Sequence, residues 1–292
     1  MNDRAFVIWK GHGSDQGIYS ARNDHGTDFN GARQVSWFAG RLGIAAVVEP
    51  VGHAIRAAWR GADDDNRIWT AAAHFTGDSW GAQSLPAGVP RTEDRPALGV
   101  LGERVVMAWR GAGQDEHIWY STLGPSGWTP QQPAGDGTAS STHGPALAQH
   151  DGRLFMAWMG SGGNQNLYWC TYDGRSWTAP KAFPGGSTHG PALASNGAAL
   201  VMAWKGSGDD DHLWRAGYGS GGWSAQQLAI GRSSHGPALG RLDNRIVMAW
   251  KGAGGDERLW WTPDDFRTQL PLRDGCTSSD TPAIVALNFA DL

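Results

Sequence analysis

Three short segments stand at equal intervals in this chain: Thr142-His143-Gly144-Pro145, Thr188-His189-Gly190-Pro191 and Ser234-His235-Gly236-Pro237. An imidazole at a fixed repeat position can act as general acid or base, bond to a ligand or to backbone, or share a transition metal with carboxylates. A second series places a cation directly after a tryptophan: Lys10, Arg60, Arg110, Lys205 and Lys251 follow Trp9, Trp59, Trp109, Trp204 and Trp250, and Met159 breaks the pattern after Trp158. Such cations form ion pairs with neighbouring Asp residues or bond to ligand hydroxyls, while an adjacent ring offers its face to an apolar C–H surface. A third series consists of Asp- and Gly-rich turns, Gly11–Gly17, Gly61–Asn66, Gly111–Glu116, Gly160–Asn166, Gly206–Asp211 and Gly252–Glu257. Asp and Gly make tight turns and cap their own backbone. The run Asp63-Asp64-Asp65 lacks the alternation and distant Glu of an EF-hand calcium loop.

These series need a repeating scaffold to bring them together. The segment Val201-Met202-Ala203-Trp204-Lys205-Gly206 recurs at Val247–Gly252, Val106–Gly111 and Phe155–Gly160, with weaker copies at Ala57–Gly61 and Val7–Gly11. The six anchoring tryptophans are 50, 50, 49, 46 and 46 residues apart, and closing the circle through the termini takes 51. No stretch remains for a second domain, so residues 1–292 read as one. Within each repeat, short apolar runs are bounded by Gly, Asp, Asn and Ser, which is the signature of strands, and a helical period is nowhere sustained. In the fifth repeat the strands are expected at Pro191–Ala194, Ala199–Lys205, His212–Ala216 and Trp223–Leu228. Four antiparallel strands repeated radially make a β-propeller blade. The expected fold is all-β: a six-bladed β-propeller whose ring is closed by pairing Thr281–Ala286 with Val7–Gly11 in one blade.

Two further aromatic series follow the anchors, at Tyr19, Trp69, Trp119, Tyr168, Trp214 and Trp260, and at Phe29, Trp80, Trp128, Trp177, Trp223 and Phe266. The anchors fit a core packed between blades, and rings nearer strand ends can also stack on ligands. Because strand direction alternates, the loop before the first strand and the loop between the second and third share one face. The His segments and the Asp-rich turns therefore converge. Asp94, Asp280 and Ile44 take the place of the histidines in the other three repeats, which lines the axial mouth with three His and two Asp. Trp37, in the irregular segment Gln34–Phe38, stands outside the six-fold pattern and marks the place where one special pocket would form.

Composition narrows the partners. Gly (43) and Trp (17) are abundant, charged residues make up 18% and the net charge is -4, so a basic nucleic-acid groove is not expected. No apolar run of about 18 residues could span a membrane. Two cysteines, Cys170 and Cys276, are too few for a disulfide framework and read as free thiols. The start Met1–Arg4, followed by alternating Ala5–Trp9, lacks a secretory signal, so the expected location is cytoplasmic, or outside the cell by release without a signal peptide.

The plan of Pro-Ala-Leu, an aromatic-basic-Gly strand end, Asp-x-x-Leu-Trp and Gly-x-Trp-Ser resembles the tandem-repeat β-propeller lectins of fungi and bacteria, fucose-binding and tachylectin-like. The likeness is closest over Ser140–Trp177 and Ser187–Trp223. It implies several shallow sugar sites between adjacent blades, built from Trp or Tyr with Arg and a carboxylate. The matching positions are the Lys10, Arg60, Arg110, Lys205 and Lys251 series with Tyr19, Trp69, Trp119, Trp214 and Trp260, to which His143, His189, His235 and Trp37 are added as candidate ligand contacts. The expected function is carbohydrate binding to glycans or glycosylated surfaces, with no metal and no cofactor. The competing reading is an enzyme (cyclase, lyase or glycoside-processing) with a single site at the axial mouth lined by His143, His189, His235 and Trp37.

Overall fold

A computed structural model describes residues 4–23, 28–74, 79–263, 266–273 and 275–287, the side chains of Ser36 and Trp37 excepted. Its strands form six antiparallel sheets arranged as the blades of a propeller. Blade one joins both ends of the chain: Ala283–Leu287 pairs with Arg4–Lys10, which pairs with Gly17–Asn23, which pairs with Asn30–Ala39. Blade two contains Ile44–Val48, Ile55–Arg60 and Ile68–Ala73, and isolated bridges at Ser84 and Trp80 stand in for its outer strand. Blade three begins at Ala97–Leu101 and Arg104–Arg110, blade four at Ala146–His150 and Arg153–Met159, blade five at Ala192–Ser195 and Leu200–Lys205, and blade six at Ala238–Leu242 and Arg245–Lys251. The inner strands of successive blades touch in ring order, and the last closes on the first. Among the described residues no helix is long and apolar enough to cross a membrane.

The second strand of each blade explains the composition. Six consecutive residues of Arg153–Met159, Leu200–Lys205 and Arg245–Lys251 are buried, because the flanking blades cover both faces of the sheet. A strand covered on both sides reads as a continuous apolar run instead of an alternating one. Hence Val-Met-Ala-Trp recurs. The core is divided into six clusters, one at each blade junction, and each contains one anchor tryptophan: Trp9, Trp59, Trp109, Trp158, Trp204 or Trp250.

Two local expectations are corrected by the hydrogen-bond register. In blade five Trp223 belongs to a two-residue hairpin with Gly222, and the outer strand is Gln227–Arg232, paired with His212–Gly219. The turn at Ser220–Gly221 folds Trp223 back onto Tyr218, and Ser224–Gln226, outside any strand, separate it from the outer strand. Ile44 pairs opposite Trp59, whereas Ala146 pairs opposite Ala157, so Ile44 matches Pro145 and the residue matching His143 is Leu42. The missing Pro in that repeat hides the one-repeat shift of two residues.

Glycine permits the ring to close tightly at its axis. A Cβ on Gly190 would lie 2.4 Å from the carbonyl oxygen of Gly144, and one on Gly236 would lie 2.4 Å from that of Gly190. Each inner strand thus starts against the backbone of its neighbour. Gly190→Ala should cost about 1–3 kcal/mol, as overpacking against an immobile backbone does, and lower the thermal midpoint by several degrees. Gly217→Ala, where a Cβ meets nothing within 4 Å, should leave it unchanged in the same melting experiment.

Candidate functional site at the blade junctions

The Asp-rich turns build one device in every blade. In blade six Asp256 accepts the backbone N–H of Arg258 on Oδ1 (3.1 Å) and the indole N–H of Trp260 on Oδ2 (2.9 Å). Asp65, Asp115 and Asp210 hold Trp69, Trp119 and Trp214 in the same way at 2.7–2.8 Å. In blade one the hydroxyl of Tyr19 donates to Asp15, and in blade four the amide of Asn164 donates to the hydroxyl of Tyr168. The carboxylate turns back so closely over the start of its own loop that a Cβ on Gly206 would lie 2.2 Å from Asp210 Oδ2. This explains the Gly that ends every second strand.

The electrostatics follow from these bonds. Arg67 bonds to Asp65 through its side chain and, with the Trp69 indole, holds that carboxyl well below the usual carboxylate range despite partial burial. Asp256 is lowered to about 2, first by Arg258, against the effect of burial, and then by Trp260. For Asp115 and Asp210 burial is the largest influence and pushes upward, but the indole and histidine bonds together outweigh it. Arg67 and Arg258 also lie over the rings of Trp69 and Trp260, at 5.0 and 4.7 Å from the ring centroids.

Each pinned ring pairs across the sheet with its buried anchor, as Trp250 does with Trp260, and lies at the junction with the preceding blade, half-exposed. Between blades five and six this junction opens into a cleft of about 490 Å³, with Trp260, Asp256 and Gln269 on one side and His212, Ile230 and Arg232 on the other. Of the sequence candidates, Tyr19, Trp69, Trp119, Trp214 and Trp260 all occupy this position. Arg232 and Gln269 were not singled out from the sequence. Arg232 stands three residues before His235, and a column-by-column alignment of the repeats would have shown a basic residue there and at Arg91.

The cations after the anchors are placed differently. Lys10, Arg60, Arg110, Lys205 and Lys251 are buried, and their donors are directed onto the protein. Lys10 Nζ donates to the carbonyls of Gly11 and Gly13 and to Ser279, Arg110 to the carbonyls of Gly111 and Gly113, and Lys205 to the Asp210 carbonyl and the Thr188 hydroxyl. Arg60 reaches the carbonyls of Thr92 and Asp63, and Lys251 the Ser234 hydroxyl. They fasten the Asp-rich loop to the segment that enters the inner strand. Burial lowers the pKa values of Lys10 and Arg60, opposed mainly by Asp280 and Glu93 respectively.

The histidines gather at the axial mouth. His143, His189 and His235 form a row with ring centroids 5.3 and 5.2 Å apart, and each Nδ1 lies 3.0–3.2 Å from the hydroxyl of the preceding Thr or Ser. Burial, then the neighbouring imidazoles and cations, lowers His189 to about 3, and burial also lowers His235. Asp94 accepts the Gly144 amide and Asp280 the Gly43 amide. Among the described residues the group of metal-type donors within 4.8 Å of one another is Asp210, Asp211 and His212, away from this row, with Asp210 bonded to Trp214 and Asp211 to Arg232. Trp37 lies in the strand Asn30–Ala39, but its side chain is outside the described residues.

No family model and no curated protein matches the chain. Solved structures do. A variant of the Aleuria aurantia lectin in complex with Fucα1-6GlcNAc aligns with a TM-score of 0.67 at 15% identity, covering 94% of each chain. The chain shares the fold. AofleA from Arthrobotrys oligospora aligns with a TM-score of 0.64 at 10% identity, covering 97% of this chain and 89% of that one. The SapL1 lectin in complex with alpha methyl fucoside aligns with 0.58 at 16%, covering 96% and 97%.

Burial raises Asp280 to about 6, helped by Asp94 across the mouth and opposed by the Thr281 amide, Arg95 and the Gly43 amide. A folded-state value above the unfolded one of about 3.9 means that its contribution is fully favourable below pH ~4 and is lost as pH rises through 6. Asp280→Asn should therefore match the parent in denaturant midpoint at pH 4 and exceed it at pH 8. A lower midpoint at pH 8 would show that the carboxylate charge supports the fold.

Proposed function

We propose that the chain is a carbohydrate-binding lectin whose repeated shallow sites lie between adjacent blades. The observation that carries this reading is the ring held half-exposed at each junction by the Asp or Asn four residues before it. Such a ring offers a flat apolar surface to the C–H face of a pyranose, and the surrounding carboxylate, amide and guanidinium groups match its hydroxyls as acceptors and donors. The fold is one on which the Aleuria aurantia lectin carries Fucα1-6GlcNAc and SapL1 carries alpha methyl fucoside, which makes fucose-bearing glycans the first ligands to test. The partners are glycans or glycosylated surfaces, engaged with neither metal nor cofactor, and weak single contacts gain strength when several sites hold one surface.

Binding is favoured over catalysis at the axial mouth. His189, lowered to about 3 chiefly by burial, is a poor proton acceptor near neutral pH, where a general base needs a pKa close to the operating pH. Asp94 and Asp280 at the same mouth accept backbone amides.

A glycan array of fucosylated, galactosylated and amino-sugar ligands tests the reading. Binding should be detected, should survive EDTA, and should weaken by roughly 2–10-fold on Trp260→Ala if stacking contributes about 0.5–1.5 kcal/mol. An array without a signal would overturn it.

A further inference from the structure

The six junctions are not equal. Blade by blade, the residue that pairs opposite the start of the third strand is Ala39, Arg91, Ser140, Gly186, Arg232 and Thr277. Only two are cationic, and both are posed in the same way. Arg232 Nη1 donates to Asp211 Oδ1 at 3.1 Å and Arg91 Nη1 donates to Asn66 Oδ1 at 2.5 Å, where Asp211 and Asn66 are equivalent residues just before the third strand. The backbone bond beside them, Ser233 N–H to the Asp211 carbonyl and Thr92 N–H to that of Asn66, each at 2.8 Å, recurs in the other blades as Ser141 to Glu116, Ser187 to Gln165 and Ser278 to Glu257, so it is the side chain that sets these two apart. One end of each guanidinium is thereby fixed on the protein, and the remaining N–H groups of its planar fork face solvent at the rim.

The blade on the other side completes the set. Arg232 shares its cleft with Trp260, Asp256 and Gln269. Trp119 is the equivalent ring for Arg91, held by Asp115. Gln131 directly precedes the outer strand Gln132–Pro133, whose Pro133 pairs with Trp119, as Gln269 precedes Leu270–Pro271, whose Pro271 pairs with Trp260. At the junction of blades three and four the ring is Tyr168, the amide of Asn164 takes the place of the acid and the rim residue is Ser140. Where blades four and five meet, Trp214 and Asp210 face Gly186.

From this we propose that the chain is divalent, with its competent sites at the junctions of blades two and three and of blades five and six, and with Arg91 and Arg232 as the residues that determine occupancy. This rests on the lectin reading and goes beyond it. The two junctions are three steps apart in a ring of six. They lie on opposite edges of the propeller, so one molecule bridges two glycans instead of gripping a single one at neighbouring sites.

Calorimetric titration with methyl α-L-fucoside, methyl β-galactoside and N-acetylglucosamine tests this, with thermal melting of each variant as a check of folding. The best of these glycosides should bind with two sites per chain. Arg91→Ala and Arg232→Ala should each leave one site, the double variant should lose at least tenfold in affinity overall, and Thr277→Ala should retain two. The single variants should bind a glycosylated serum albumin carrying that sugar but fail to cross-link it. A stoichiometry of four to six, or two sites persisting in Arg232→Ala, overturns the divalent assignment while leaving the lectin reading intact. No heat with any glycoside, together with a silent glycan array, overturns both.

Discussion

The structure depends on one hydrogen bond repeated around the ring between an aromatic side chain and the Asp or Asn four residues before it, with the ring donating to Asp in five blades and the Asn164 amide donating to Tyr168 in the other. The carboxylate that accepts Trp260 also accepts the Arg258 amide, so a single side chain shapes the turn, starts the third strand and orients the ring. A bond to a charged acceptor contributes about 1.5–3 kcal/mol, enough to hold a large ring that is left partly exposed. Removing the Cβ from the residue ahead of the loop makes room for that carboxylate, and the buried cation after the anchor tryptophan binds the loop carbonyls from below. Glycine, cation, acid and aromatic thus form one device, and four apparently separate repeat signals have a common cause.

Much of this was legible in the sequence because a propeller is one supersecondary unit copied. The spacing of the anchor tryptophans implied six blades, and the likeness of Thr281–Ala286 to an inner strand implied closure through Val7–Gly11; the register Ile8 to Ala283 shows that pairing. The shared face of the His segments and the Asp-rich turns was also readable, since it follows from alternating strand direction, and the bonds from Thr188 and Ser234 N–H to the Gly206 and Gly252 carbonyls join those loops.

Other features were hidden for physical reasons. A cation beside a tryptophan in sequence suggests a ligand contact, but adjacent strand residues point to opposite faces, and Lys205 and its equivalents end beneath the loop. Arg91 and Arg232 sit in a segment that pairs through single bridges or a shifted register, where period-two patterning gives no guide to facing. The repeat of Ile44 lacks the Pro that marks the inner strand elsewhere, which conceals that Ile44 itself occupies the Pro position. The histidines stand out by repetition, each beside a glycine that the axial packing demands, and their half-buried rings pack against one another.

On the proposed reading, ligand binds on the pinned rings between blades and not at the axial mouth. A crystal structure of the chain soaked with the glycoside it binds best tests this most directly. A pyranose ring stacked against Trp260 within reach of Asp256 and Arg232 is the expected result. A sugar seated instead on His143, His189 and His235, with the junctions empty, would contradict it.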